Sequence, residues 1–450
     1  MAAREIRSGR DRRRVIIDGV KPEIDGGRFP CKRVVGEELI VEANVYTDGH
    51  EALSARLLSR HERERRQREI PMEFLGNDRW RAAFPVEKLG RYRYTIRAWP
   101  DPFKGWRRDM EKRLAAYQDV SVDLVIGGQL LQQAAARAKG KDAKALDRFA
   151  AAVLDESADI TDRIRHAMSD EAFDLASRYP DLEHATDYDR ELEVFVEPER
   201  ARFSTWYELF PRSTSPEPGQ HGTFADVERM LDYVEELGFD VLYLPPIHPI
   251  GRTRRKGRNN SETAEPGEVG SPWAIGAAEG GHTEILPELG TPEEFRRLVE
   301  KARARGIEVA LDIAFQASPD HPWVQEHPEW FRERPDGTIQ YAENPPKKYQ
   351  DVYPFDFETD DWQALWAALR DVFLHWASQG VRIFRVDNPH TKPLPFWEWC
   401  LAEVKARYPD AIFLSEAFTR PKLMYALAKV GFSQSYTYFT WRTSKWELET

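Results

Sequence analysis

The second half of the chain alternates short apolar runs with amphipathic segments of helical length, and this alternation constrains the fold more than any other feature. Runs such as VLYL, VALDI, VRIFRV and AIFLS have the composition of strands that are buried on both faces. Parallel strands joined by helices close into a barrel when eight are present. Six such strands can be counted in the 450 residues. We therefore predict that residues 204–450 form an α/β, TIM-type (β/α)8 barrel that is incomplete in this chain, with long loops at 248–290 and 316–360.

Two carboxylates stand at the ends of two of these apolar runs. Asp387 follows VRIFRV and Glu416 follows AIFLS, and the chain between them is sufficient for one helix. Successive parallel strands bring such residues to the same end of the barrel, where barrel enzymes carry their chemistry. A carboxylate pair held in this way is the minimum requirement for glycosyl transfer. The alternative is purely structural: Asp387 would only pair with Arg385, and Glu416 would cap the next helix.

The N-terminal part of the chain instead alternates apolar and polar residues. Segments such as LIVEANVY, WRAAFPV and RYRYTIRAW show this period of two between turn signals, and LEVFVEPERA returns to it later. We predict a β-sandwich domain that consists of residues 13–102 plus 189–203. The buried face of RYRYTIRAW should carry Tyr92, Tyr94, Ile96 and Ala98.

Residues 103–188 carry apolar residues at helical spacing, as in GWRRDMEKRLAAYQDV and AKALDRFAAAVLDE. We predict a helical bundle inserted into the sandwich near its last strand, which makes the chain multidomain. An inserted bundle offers a contact surface, so we expect a homodimer through the N-terminal and helical domains. The alternative is that the bundle only extends the fold.

Composition argues against several classes of function. The formal net charge of −11 and the pI near 5.6 disfavour nucleic acid as a partner. No stretch is apolar and long enough to span a membrane. The basic segment 1–12 has no apolar region behind it, so we predict a disordered tail rather than a secretory signal. Cys31 and Cys400 form no metal or redox motif, which favours free thiols and a cytoplasmic location.

Several strings resemble a known family. VLYLPPIHPIG, ALDIAFQASPDHPW, FRVDNPHTKP and FLSEAF are similar to the ordered motifs of the alpha-amylase superfamily of (β/α)8 enzymes. GRTRRKGRNN, AFQASPDHPW and VDNPHTKP resemble its maltosyltransferase branch, and the similarity covers nearly the whole chain. Common amylases place Asn-His after the third strand. Gln316 and Ala317 stand there in this chain, which agrees with that branch.

The resemblance implies a retaining transferase. Such an enzyme moves maltosyl units from alpha-maltose 1-phosphate to the non-reducing end of alpha-1,4-glucan or glycogen and releases phosphate. Asp387 would be the nucleophile, and Glu416 would be the proton donor and general base, with the carboxylates about 5–5.5 Å apart. Arg385 would keep the nucleophile ionised, since residues two apart on a strand point the same way.

The resemblance also implies a substrate site, because Lys256, Gln316, Asp351 and Asn388 match positions that bind maltose 1-phosphate in this branch. Lys256 lies in GRTRRKGRNN, whose basic residues would attract a phosphate or would form only a solvated loop. Gln316 and Asn388 are amides suited to sugar hydroxyls. Asp351 would bind hydroxyls or cap a turn. His390 would hold a sugar hydroxyl or be an ordinary loop histidine.

No metal or cofactor is expected. His321 and His327 have no partner at metal-ligand spacing, and GVRIFRVD contains no glycine-rich phosphate loop.

Other functions stay open from the sequence. Another amylase-type hydrolase or a trehalose-forming isomerase would use the same two acids on a neutral sugar, although the Lys256 loop and Gln316 disfavour this. The superfamily's third carboxylate, after the seventh strand, and its C-terminal β-domain have no counterpart here. A non-catalytic glucan-binding protein is therefore a further alternative, and we expect the isolated chain to be unstable or inactive.

Overall fold

The computed structural model describes residues 13–449, so the predicted tail, 1–12, lies outside the described residues. The chain divides into two compact units, Met1–Phe195 and Val196–Thr450.

The strands of the N-terminal half form two sheets. They are β1 Ile16–Lys21, β2 Cys31–Val34, β3 Glu38–Tyr46, β4 Leu53–His61, β5 Arg68–Pro71, β6 Glu73–Gly76, β7 Arg79–Pro85, β8 Gly90–Pro100, β9 Thr186–Asp187 and β10 Leu192–Glu197. One sheet has the order β1-β3-β7-β6, and the other has the order β2-β10-β8-β4-β5 with β9 beside β8. The pairings β3–β7 and β4–β8 are antiparallel. Strand β8 buries Tyr92, Tyr94, Ile96 and Ala98, which confirms the predicted face.

Helices fill the segment between β8 and β9. They are α1 Pro102–Ala115, α2 Ser121–Arg137, α3 Gly140–Leu154, α4 Ile160–Ala167 and α5 Asp170–Arg178. Asp101 caps α1, since its side chain accepts a hydrogen bond from the Lys104 backbone N–H. Buried side chains such as Met110, Leu124 and Leu146 form the core of these helices. Within the predicted helical range, 103–188, the last helix ends at Arg178, and the short strand β9 that follows pairs with β8.

The second unit is built on strands that alternate with helices. Its elements in chain order are β11 Trp206–Glu208, α6 Phe224–Glu236, β12 Val241–Leu244, α7 Pro292–Ala304, β13 Glu308–Ile313, β14 Gln316–Ala317, α8 Pro322–Glu326, β15 Ala342–Asn344, β16 Lys347–Tyr349, β17 Tyr353–Pro354, α9 Trp362–Ser378, β18 Ile383–Asp387, α10 Leu394–Arg407, β19 Ile412–Glu416, α11 Pro421–Val430, β20 Gln434–Ser435 and α12 Lys445–Glu449. Within the described part of this unit, a six-stranded parallel sheet runs in chain order, β11-β12-β13-β18-β19-β20. This order follows from helical crossovers that return each strand beside the previous one.

Local sequence determines where the helices of this unit begin. Thr223 starts α6 and Thr291 starts α7, each with a complete capping box, and Pro292 occupies the first turn of α7. Their apolar faces pack together, with the rings of Phe224 and Phe295 5.4 Å apart. Capping and packing together hold the helices against the sheet, so that the strand ends are fixed in position.

The long connections differ from each other. The segment 248–290 contains only short 3-10 turns, at Arg258–Asn260 and Pro287–Leu289. The segment predicted as a loop at 316–360 contains α8 and two small antiparallel pairs, β14–β17 and β15–β16. In the region 13–449, none of the helices combines the length and apolar character that a membrane crossing requires.

Candidate active site

The two predicted acids lie side by side on neighbouring parallel strands. Asp387 ends β18 and Glu416 ends β19, and the register of the two strands pairs these residues directly. Asp387 is buried and Glu416 is partly exposed. Helix α11 begins at Pro421 with Arg420 as its N-cap, so Glu416 does not cap it. The structural alternative considered for Glu416 is therefore wrong.

A single guanidinium faces both acids. Arg385 Nη1 lies 2.7 Å from Asp387 Oδ1, and Arg385 Nη2 lies 3.7 Å from Glu416 Oε1. Although burial disfavours a charged guanidinium, the carboxylates of Asp312 and Asp387 raise the pKa of Arg385. Arg385 is therefore a permanent cation that contacts both acids.

A third carboxylate completes this buried cluster. Asp312 Oδ2 accepts hydrogen bonds from Arg385 Nη1 at 2.8 Å and from the Tyr243 hydroxyl at 2.5 Å. Burial raises the pKa of Asp312, while the Arg385 charge opposes that shift. The sequence analysis did not select Asp312 or Tyr243. The sequence does contain a signal for Asp312, because this acidic residue stands inside the apolar run VALDI and a buried charge requires a partner.

Asn388 contacts both candidate catalytic acids. Its backbone N–H donates to Glu416 Oε2 at 3.1 Å, and its side-chain Nδ2 donates to Asp387 Oδ2 at 3.2 Å. Its backbone is left-handed, with φ 44° and ψ 50°. Left-handed backbone is uncommon for residues other than glycine, and it clusters at functional sites.

The environment of Glu416 suits a group that exchanges protons. Burial raises the pKa of Glu416, whereas Arg385 and the Asn388 N–H hold it down. A carboxyl group with an elevated pKa beside a second carboxyl that accepts a hydrogen bond from a guanidinium is the arrangement of an acid/base and nucleophile pair. The site can therefore perform nucleophilic substitution with proton transfer.

Lys256 and Asp351 lie near each other, and both are distant in sequence from Asp387 and Glu416. Lys256 is only 6% exposed, and its Nζ donates to Gln350 Oε1 at 2.8 Å. Burial raises the pKa of Asp351, and the Lys256 charge opposes that shift. A cavity of about 600 Å³ is lined by Lys256 together with Phe210, Trp273 and other residues of the second unit. Gln350 is a contact that the sequence analysis did not select.

Gln316 and His390 have different surroundings. Gln316 lies in β14, and its Nε2 donates to the Trp273 carbonyl at 3.1 Å. His390 is half-buried, and within residues 13–449 its Nδ1 has no hydrogen-bond partner. Burial lowers the pKa of His390, and the Lys392 charge lowers it further. His390 is therefore a neutral ring with a free polar atom.

A buried pair of histidines lies close behind β13. His282 Nε2 contacts the Ala314 carbonyl at 3.0 Å, and His282 Nδ1 contacts His321 Nε2 at 3.0 Å. His321 Nδ1 accepts from the Trp323 backbone N–H at 3.1 Å. These contacts permit one assignment of protons: His321 donates to His282, and His282 donates to the carbonyl. His321 thus has a structural partner.

One group in the region 13–449 could hold a metal ion. His327, Glu329 and Asp361 each offer a ligand atom, and these atoms all lie within 4.8 Å of one another. The sequence analysis considered His327 without a metal-ligand partner, whereas the fold supplies two carboxylates. The Trp330 indole N–H already donates to Asp361 Oδ2, and His327 Nδ1 lies 3.1 Å from Glu329 Oε1. These three side chains therefore already have hydrogen-bond partners within the protein.

Comparisons with known proteins identify the family. Residues 13–198 match the family described as alpha-1,4-glucan:maltose-1-phosphate maltosyltransferase, domain N/S, and residues 206–393 match the alpha-amylase catalytic domain. The chain is 55% identical to the alpha-1,4-glucan:maltose-1-phosphate maltosyltransferase of Chlorobaculum tepidum, over 97% of this chain and 65% of that protein. It is 52% identical to a maltosyltransferase of the same description from Cereibacter sphaeroides, over 97% of this chain and 73% of that protein.

Among solved structures, an alpha-amylase from Lactobacillus plantarum is 31% identical, with a TM-score of 0.44 over 54% of each chain. The matching domains and the identity over nearly the whole chain define an alpha-amylase-type protein with an additional N-terminal domain. The chain belongs to the alpha-1,4-glucan:maltose-1-phosphate maltosyltransferase family. It spans about 65% of the length of the Chlorobaculum tepidum relative.

Proposed function

We propose that this protein transfers maltosyl units from alpha-maltose 1-phosphate to the non-reducing end of alpha-1,4-glucan, such as glycogen, and releases phosphate. The observation that carries the proposal is the strand register that pairs Asp387 with Glu416 beneath the Arg385 guanidinium. The identity to relatives named for this reaction supports the choice of substrates.

The first half of the reaction uses Asp387 as the nucleophile. A carboxylate oxygen of Asp387 attacks the anomeric carbon and forms a covalent ester, while the bond from that carbon to the phosphate oxygen breaks with its electron pair. Glu416 gives its proton to the departing phosphate. Phosphate is a good leaving group, so this step depends on the nucleophile more than on the acid.

The second half restores the original configuration. Ionised Glu416 takes the proton of the acceptor 4-hydroxyl, the freed oxygen attacks the same carbon, and the bond to Asp387 breaks. Two inversions leave an α-1,4 linkage. Arg385 holds the Asp387 carboxylate in position, and Asp312 positions Arg385.

The donor is held by polar groups around the acids. Lys256 supplies positive charge for the phosphate, and its near-complete burial makes that charge effective. Gln316, Asp351, Asn388 and His390 bind sugar hydroxyls, and the free Nδ1 of His390 suits that role. The cavity beside Lys256 is large enough for a disaccharide.

The proposal extends to the architecture. The parallel sheet of the second unit is part of a (β/α)8 barrel that is incomplete in this chain, because a closed barrel needs eight strands. The domains are a β-sandwich over 13–102 plus 189–203, an inserted helical bundle within 103–188, and the barrel over 204–450. The protein is a cytoplasmic homodimer through its N-terminal and helical domains, and it uses no metal or cofactor.

The decisive experiment measures both possible products. The protein is incubated with maltose 1-phosphate and glycogen, and inorganic phosphate and new reducing ends are quantified. Phosphate release with glucan elongation supports the transferase, whereas reducing sugar without elongation identifies a hydrolase. Glycogen binding without turnover identifies a binding protein. Asp387→Asn is the matched control, since it removes only the nucleophile.

A further inference from the structure

The carbonyl oxygen of Asn388 is held as firmly as its N–H and its amide. It accepts hydrogen bonds from Thr391 Oγ1 at 2.8 Å and from Lys392 Nζ at 3.2 Å. The next residues form a single 3-10 turn, Pro389–Thr391, so both donors fold back onto the residue that precedes the turn. The carbonyl side of the left-handed Asn388 is therefore fixed by two side chains and by the Thr391 backbone N–H, which donates at 3.2 Å.

Lys392 brings a positive charge to this point. Its side chain is partly buried, and burial lowers its pKa, while the negative charges of Asp387 and Glu416 oppose that shift. Lys392 thus contacts Asn388, which itself donates hydrogen bonds to both acids. Within residues 13–449 the ammonium group has the Asn388 carbonyl as a hydrogen-bond partner and both acids as counter-charges.

We propose that Lys392 is a positioning residue that holds Asn388 in its left-handed conformation, so that the Asn388 N–H is directed at Glu416 and the Asn388 amide at Asp387. This inference rests on the proposed function of the two acids. The N–H and the carbonyl of Asn388 belong to two neighbouring planar peptide units, which φ and ψ of Asn388 connect. Fixing the carbonyl unit together with these two dihedrals therefore also fixes the direction of the N–H. Without Lys392, Asn388 can relax toward the right-handed or extended backbone that non-glycine residues prefer, and its N–H then turns away from Glu416.

The consequence is measurable on Glu416. The charged groups that act on it are Arg385 and Asp387 on β18 and Lys392 in the turn after β18; Tyr436, which follows β20, faces Arg385. Besides Arg385, the Asn388 N–H and the Lys392 charge lower the pKa of Glu416. Substitution of Lys392 removes its positive charge near Glu416. It also releases Asn388, so that the Asn388 N–H no longer donates to Glu416. Each of these losses raises the pKa of Glu416.

The experiment titrates Glu416 in the full chain without substrate, by carbon-13 NMR of labelled glutamate carboxyls, with Glu416→Gln to assign the signal. We expect Lys392→Met to raise the Glu416 pKa by about one unit. Lys392→Arg keeps a charged donor, so its Glu416 pKa should lie close to that of the unaltered protein. The acidic limb of the pH profile of glucan elongation should move upward with the pKa, because the second half of the reaction needs ionised Glu416. Lys144→Met removes an exposed lysine of α3 and should change neither quantity.

A second pair of variants covers the case in which Lys392→Met does not fold. Asn388→Gly tolerates the left-handed backbone, whereas Asn388→Ala does not, and both lack the amide. We expect Asn388→Ala to raise the Glu416 pKa above that of Asn388→Gly, and equal values would overturn the inference. An unchanged Glu416 pKa in Lys392→Met, with only the KM for maltose 1-phosphate raised, would also overturn it, since Lys392 would then bind substrate directly. The titration needs no turnover, so absence of phosphate release by the unaltered protein refutes the proposed function alone.

Discussion

Asp312 and Arg385 are register partners on the neighbouring strands β13 and β18, and Arg385 Nη1 lies 2.8 Å from Asp312 Oδ2. The Asp312 side chain has no exposed surface. The same Arg385 nitrogen reaches the proposed nucleophile, Asp387, at 2.7 Å. Buried Asp312 thus holds the Arg385 guanidinium in place, and Arg385 in turn holds the carboxylate of Asp387.

The first prediction concerns Asp312. We expect Asp312→Asn to lower the free energy of unfolding by about 1–3 kcal/mol, because the new amide adds a buried donor without an acceptor. Phosphate release should fall by at least about tenfold, because Arg385 loses one of its two close anchors. Urea denaturation and a phosphate assay measure the two effects. Asp147→Asn, an exposed site on α3, is the control. Equal stability of Asp312→Asn and the parent would contradict the role given to Asp312.

The second prediction separates the two halves of the reaction. Glu416→Gln removes the base that the second half needs, while phosphate can still depart in the first half. We therefore expect Glu416→Gln, given maltose 1-phosphate without glucan, to accumulate a maltosyl ester on Asp387. Intact-protein mass spectrometry detects the added maltosyl group. Asp387→Asn should gain no mass under the same conditions, and an adduct on that variant would place the nucleophile elsewhere.

The strand positions of the acids could be predicted from sequence because the signal is local. The apolar runs before Asp387 and Glu416 identify buried parallel strands, and parallel strands end at one edge. The register that pairs the two residues follows from strands of matching length. The alternation in β8 predicted its buried face for the same reason, since side chains on a strand alternate between two faces.

Contacts across long separations could not be predicted in this way. His282 and His321 are 39 positions apart, and Lys256 and Gln350 are 94 positions apart. Neither pair leaves a periodic pattern. The left-handed backbone of Asn388 depends on donors from the following turn, which composition does not reveal. Sequence analysis therefore selected the acids and two residues that contact them, Arg385 and Asn388. It did not select Asp312, Tyr243 or Lys392, which lie one contact further away.

The third prediction concerns the phosphate of the donor. We expect Lys256→Met to raise the KM for maltose 1-phosphate by about 10- to 100-fold, since a hydrogen bond to a charged group contributes about 1.5–3 kcal/mol. The KM for glucan, which is neutral, should change little. Steady-state kinetics with each substrate varied in turn provide the measurement. Arg258→Gln is the matched control, because its side chain lies in the same loop and is 92% exposed. Equal effects of the two substitutions would show that Lys256 contributes only general charge.

The last prediction concerns stability and pH. Burial lowers the pKa of His282 to about 4 and that of His321 to about 2, whereas the unfolded chain protonates histidine near pH 6.5. Below about pH 6.5 the unfolded state therefore binds more protons than the folded state. The contribution of these histidines to the free energy of unfolding is fully present above this pH and is lost as the pH falls. Each of these histidines should contribute a slope of about 1.4 kcal/mol per pH unit, which ends near pH 4 for His282 and near pH 2 for His321.

Urea unfolding at several pH values below neutrality tests whether the free energy of unfolding falls as the pH falls. His321→Gln removes one of the two proton-binding differences, so its free energy of unfolding should fall less steeply with decreasing pH than that of the parent. The substitution itself costs stability near neutral pH, because it breaks the contact with His282. The two curves should therefore converge in acid. His184→Gln, at an exposed site, should reproduce the parent slope. Parallel curves for His321→Gln and the parent would mean that the buried pair accepts protons in the folded state, which its arrangement against the Ala314 carbonyl and the Trp323 N–H forbids.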